Sequence, residues 1–107
     1  MAEKPKNKKN GSLAELTIDK VYEKLKKNKL EDSINILQEA LNVEPNNYDM
    51  NYLLGVCLLI SGSFEQAINL FDALLEKKTR KNIFLLLSVC YKKIEDFRET
   101  EHIVIIS

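Results

Sequence analysis

Apolar positions recur at three- and four-residue spacing along most of the chain, which is the mark of amphipathic helices. Leu13, Leu16, Ile18, Val21, Tyr22 and Leu25 follow this spacing. They predict a first helix from about Leu13 to Lys27, capped by Ser12 with Glu15 three residues on. Ile34, Leu37, Ala40 and Leu41 mark one face of a second helix, about Glu31 to Val43, which ends at the turn signal Glu44-Pro45-Asn46-Asn47. A third helix, about Tyr48 to Ser61, is apolar nearly all round. Such a helix is buried on every side or awaits a partner. Ser61-Gly62-Ser63 breaks the chain before a fourth, about Phe64 to Lys77, with Ala67, Ile68, Phe71, Leu74 and Leu75 inward. A fifth, about Lys81 to Lys93, and a sixth from about Phe97 are separated at Glu95-Asp96. The stretch Ile103-Val104-Ile105-Ile106 is β-prone by composition, so the helical pattern is least pronounced there.

The pattern also repeats. Leu54-Gly55-Val56-Cys57 returns 33 residues later as Leu87-Ser88-Val89-Cys90. Phe64-Glu65-Gln66-Ala67 returns more loosely as Phe97-Arg98-Glu99-Thr100, and Leu30 to Ile34 is an upstream copy of Phe64 to Ile68 at an offset of 34. A period in this range predicts stacked helical hairpins, because one hairpin cannot bury its apolar face alone.

The spacing resembles the tetratricopeptide repeat family, whose pattern is W-x2-L-G-x2-Y, then A-x3-F, then P. The middle repeat carries Leu54, Gly55, Ala67 and Phe71; Asn51, Leu58 and Thr79 replace the Trp, Tyr and Pro. The third carries Phe84, Leu87, Ser88 and Tyr91, with Thr100 and Val104 for the Ala and Phe. The first keeps Leu37 and Pro45, has Ser33 for Ala, and matches poorly across its first helix. The resemblance implies an all-α fold, a short α-solenoid of about six helices in three antiparallel pairs. The repeats fall at about 14–47, 48–80 and 81–107, the last incomplete, behind a disordered lysine-rich tail at 1–12. Small Gly55, Ser88 and Ala67 would let helices approach closely, while large Phe71, Phe84 and Tyr91 would fill the space between hairpins.

In this family the first helix of each repeat lines a concave groove. Carried onto this sequence, the groove positions are Tyr22, Tyr52, Leu53, Val56, Leu59 and Ile60, then Leu85, Leu86 and Val89. These residues are more apolar than folding alone requires, and they suit an apolar or amphipathic helix laid along them. One subset of the family clamps a chaperone's terminal carboxylate with Lys and Asn. The matching positions here are Ile18, Tyr22, Leu53, Asn82 and Leu86, of which only Asn82 is polar, so that reading fails on chemistry.

Composition narrows the function further. The 107 residues hold 16 basic and 16 acidic side chains, for a formal net charge of zero. No global positive field is present to draw phosphates, which argues against nucleic acid as the main ligand. Lysine clusters near residues 24–29 and 77–81 fall at predicted helix ends, where cations complement the helix dipole. No apolar run approaches bilayer-spanning length, and residues 1–10 lack the apolar stretch of a secretory signal. Cys57 and Cys90 sit at equivalent positions in apolar runs, without CxxC or metal-ligand spacing, and read as reduced core residues of a cytoplasmic protein. His102, the single histidine, lies beside Glu101 and no partner for base chemistry accompanies it. No phosphate-cradling loop is present, and no metal or cofactor is expected.

The sequence therefore predicts a non-enzymatic protein-protein interaction module. It would serve as an adaptor or scaffold subunit that binds a protein segment, or a second copy of itself, in its groove. A second reading rests on size and repeat count, which resemble the small tetratricopeptide chaperones of bacterial type III secretion. Such a chaperone holds an aggregation-prone helix soluble.

Overall fold

The computed structural model describes residues 12–78 and 80–106, with side-chain surroundings described as far as residue 98. Among the described residues the chain forms five helices: α1 (Leu13–Lys26), α2 (Leu30–Val43), α3 (Tyr48–Ser61), α4 (Phe64–Lys77) and α5 (Lys81–Ile106). The first four match the expected boundaries closely, because each is bracketed by residues that begin or end helices. Ser12 caps α1 by accepting from the Glu15 backbone N–H at 3.3 Å. Asn47 does the same for α3, accepting from Met50 N–H at 2.9 Å.

Two left-handed residues terminate α1 and α3. Asn28 has φ 61° and Gly62 has φ 91°. After α3, Gly62 N–H donates to Leu59 O at 3.1 Å and Ser63 N–H to Leu58 O at 2.9 Å. After α1, Asn28 N–H donates to Leu25 O at 3.0 Å and Lys29 N–H to Lys24 O at 2.9 Å. Both are Schellman ends, which satisfy orphan carbonyls by turning one residue left-handed. They bring α2 back against α1 and α4 back against α3.

The third hairpin differs from the expectation of six helices. At the 33-residue offset the counterpart of Gly62 is Glu95, a good helix former that does not readily adopt the left-handed region. The helix runs straight through Glu95-Asp96, and Lys92 Nζ lies 3.6 Å from Asp96 Oδ1 on its exposed face. The segment read as a separate helix from Phe97 is the second half of α5.

The core lies between the hairpins. Helix α3 is its centre, packing against α1, α2 and α4. Met50, Leu53, Leu54, Cys57 and Leu58 are all buried along it, which accounts for a helix that is apolar nearly all round. Val21, Leu37, Phe71, Ile83 and Cys90 complete the core with no exposed surface. Buried Ser33, standing where the family prefers Ala, satisfies its hydroxyl by donating to Lys29 O at 3.0 Å.

Candidate partner-binding surface

The covered and uncovered faces of the solenoid are best compared through the internal repeat. On α3, Gly55 is buried beneath the Phe71 ring, and a Cβ there would come within 2.6 Å of Phe71 Cε1. Tyr52 packs beside the same ring, with centroids 6.2 Å apart and planes tilted by 59°. Leu58 is buried one turn further on. Thus α4 covers the face of α3 that carries Tyr52, Gly55 and Leu58.

The same register on α5 holds Leu85, Ser88 and Tyr91, and all three are exposed. Helix α5 buries its other face, Ile83, Leu87 and Cys90, against α4. Nothing among the described residues covers the opposite side. Phe84 and Tyr91, expected to fill the space between hairpins, are therefore exposed at 53% and 56%. Ser88, expected at a close helix contact, is likewise open. The physical reason is the continuous α5: those side chains need a returning helix. The sequence positions Thr100 and Val104, which would have supplied its inner face, lie outside the described side chains, as do His102 and the Ile103–Ile106 edge. The tail at 1–11, Thr79 and Ser107 lie outside the described residues altogether.

The groove positions divide into three groups. Leu53 is a core residue, 6% exposed, because α3 is enclosed by three helices. Tyr52, Val56, Leu59 and Leu86 are half-buried and pack against the core while keeping one edge in solvent. Tyr22, Ile60, Leu85 and Val89 are exposed. The apolar surface left exposed is therefore narrower than the sequence suggested, a broken strip along the odd-numbered helices. The structural residues Leu54, Ala67, Phe71 and Leu87 are all in the core.

Two features escaped the sequence reading. An open cleft of about 490 Å³ lies between the start of α4 and the middle of α5, with Phe64, Ile94, Phe97 and Arg98 among its walls. It exists because α5 continues past the α3–α4 turn, so only the true end of α5 could have revealed it. The other is the α4–α5 turn. Arg80 and Lys78 lie over the Tyr48 ring, at 4.7 and 5.1 Å, and Tyr48 Oη–H donates to Lys78 O at 3.3 Å. Part of the basic cluster at 77–81 thus fastens the turn to α3, in addition to facing a helix dipole.

Burial pushes the thiols of Cys57 and Cys90 up from their ordinary value, so they stand as neutral thiols at physiological pH, and both are free. Among the described residues no cluster of three or more His, Cys, Asp or Glu could hold a metal ion. No described helix is long and apolar enough to cross a membrane. No curated protein matches the chain. A family model for the tetratricopeptide repeat matches residues 24–90, from the end of α1 into the first half of α5. With the paired helices, the Gly55–Phe71 contact and the repeated Schellman turns, this match makes the chain a member of the tetratricopeptide repeat family, whose general use is protein interaction.

Proposed function

We propose that the chain is a protein-protein interaction module that receives an apolar or amphipathic helix along its odd-numbered helices. The observation that carries this reading is the set of exposed large apolar side chains there: Tyr22, Ile60, Leu85 and Val89. Covering what each still exposes contributes about 1 kcal/mol, roughly half the value for burying a fully exposed apolar side chain. Together that is comparable with the lower end of the cost of association, so a partner with a matched apolar face can be held. The half-buried Val56, Leu59 and Leu86 form the floor on which such a helix would lie. We assign residues 14–47, 48–80 and 81–107 to three successive repeats. The two buried free thiols support work in a reducing compartment, consistent with the cytoplasm.

Paired charge substitution tests the reading. Ile60 and Val89 are exposed at 61% and 37%, so Ile60→Glu with Val89→Glu should leave the helical spectrum and melting temperature near those of the parent. It should abolish retention of proteins that the parent captures from its native source. Unchanged retention would refute the assigned surface.

A further inference from the structure

The open face of α5 is arranged symmetrically about Ser88. Leu85 and Tyr91 lie three residues to either side, Phe84 and Lys92 four, and Lys81 and Glu95 seven. Positions three, four and seven apart share one face of an α-helix. Phe84, Leu85 and Tyr91 are exposed at 53%, 65% and 56%, and Lys81, Ser88 and Glu95 are exposed as well. A small residue therefore sits at the centre, large apolar groups flank it, and the two ends carry opposite charge. The helix's packed side, Ile83, Leu87 and Cys90, is turned toward α4, and this face stays exposed, with Tyr91 and Glu95 at the rim of a cleft shared with Ile68 and Asn69 of α4.

Such an arrangement is complementary to itself when reversed. A second α5 laid antiparallel with its own Ser88 opposite brings Tyr91 against Leu85, Phe84 against the stem of Lys92 and Glu95 against Lys81, each twice by symmetry. Arg80 lies over the Tyr48 ring and Asp96 faces Lys92, so Lys81 and Glu95 are the charges this pairing calls on. We propose that α5 pairs with the α5 of a second copy across this face, giving a two-fold dimer with Ser88 at its axis. The small side chain lets the helices approach at the crossing, as Gly55 does between α3 and α4 within one chain. The proposal rests on the reading of this protein as an interaction module and names one of its partners, a second copy of this chain.

Other occupants are less well matched. The chain's own segment from Phe97 onward continues α5, and position 104 stands about 24 Å along the helix from Ser88. It reaches this face only if α5 breaks. A foreign helix would not need Lys81 and Glu95 placed at equal distances from Ser88.

Sedimentation equilibrium of the full chain at low salt, over roughly 1–100 μM, tests the proposal. The parent should dimerise. Lys81→Glu and Glu95→Lys should each raise the dimer Kd by about tenfold or more, because each sets like charges together twice. The double variant carrying both reversals should restore the parent Kd, which a merely unfolded chain cannot do. Under mild oxidation Ser88→Cys should give a covalent dimer, and Glu39→Cys, exposed on α2, should not. A parent that stays monomeric throughout, as expected for a fold-back or a foreign occupant, overturns the proposal. So does a dimer indifferent to both reversals. These assays contain no other protein, whereas the Ile60 and Val89 variant reads capture of a foreign partner, so either reading can fail alone.

Discussion

The ring of Phe71 lies so close to Gly55 that even a methyl group would press into it, with Cβ to Cε1 at 2.6 Å. Phe71 is fully buried and has little room to withdraw. Gly55→Ala should therefore destabilise the fold by about 1–3 kcal/mol, read as a lower denaturant midpoint at unchanged slope. The two left-handed turn residues offer an opposed pair. No atom lies within 4 Å of a Cβ built on Gly62, so Gly62→Ala meets only backbone strain, about 1 kcal/mol. Asn28→Gly relieves that strain at φ 61° and should stabilise by about 0.5 kcal/mol. If both substitutions shift the melting temperature in the same direction, the assigned turn geometry is wrong. The thiols supply a further check. Burial raises both above the ordinary value of 9.0, so the fold favours their protonated forms. That stability is fully present at neutral pH and is lost as pH rises past 9.0 through the raised value. Thiol reagents at neutral pH should react with Cys57 and Cys90 only as fast as the chain opens. Rapid labelling of the folded protein would contradict their burial. Gly55 and the cysteines were legible in the sequence because a small or apolar residue recurring in register has few other uses. Phe84 and Tyr91 were misread because their burial depends on a helix that must return to meet them.

At the scale of elements, the boundaries of α1 to α4 could be read because Ser12, the Glu44–Asn47 turn and Gly62 each have a local reason to start or stop a helix, whereas the left-handed turn at Asn28 showed only in the structure. The break expected at Glu95-Asp96 is absent, and α5 continues through it. Acidic residues suit a first turn, but a preceding break needs a residue that leaves the helix, and Glu95 does not provide one. The continuous helix is held unevenly. Ile83, Leu87 and Cys90 pack on α4, whereas Phe97 is 65% exposed. Backbone amides between Ile83 and Cys90 should exchange with solvent more slowly than those of Asp96 to Arg98. Equal protection of the two stretches would contradict their different burial. The Lys92–Asp96 pair contributes little to continuity, since its side chains are 70% and 55% exposed. Lys92→Ala should change stability by less than about 0.5 kcal/mol in thermal melts.

For the whole molecule, the 33- to 34-residue period was enough to establish stacked hairpins, because that spacing has a single structural solution for helices of this length. The extent of the groove was harder to read. Sequence places Leu53 beside Val56 on an apolar helix, but only packing shows that the first is enclosed and the second keeps a solvent edge. On the proposed function, the apolar side chains left outside on α3 and α5 are there for another polypeptide. Affinity capture from the native source, with parent and Ile60→Glu/Val89→Glu chains compared side by side, tests it most directly. The account predicts that the parent retains at least one protein that the variant loses, while both chains give the same helical spectrum and melting temperature. Identical retained sets from two equally folded chains would contradict it.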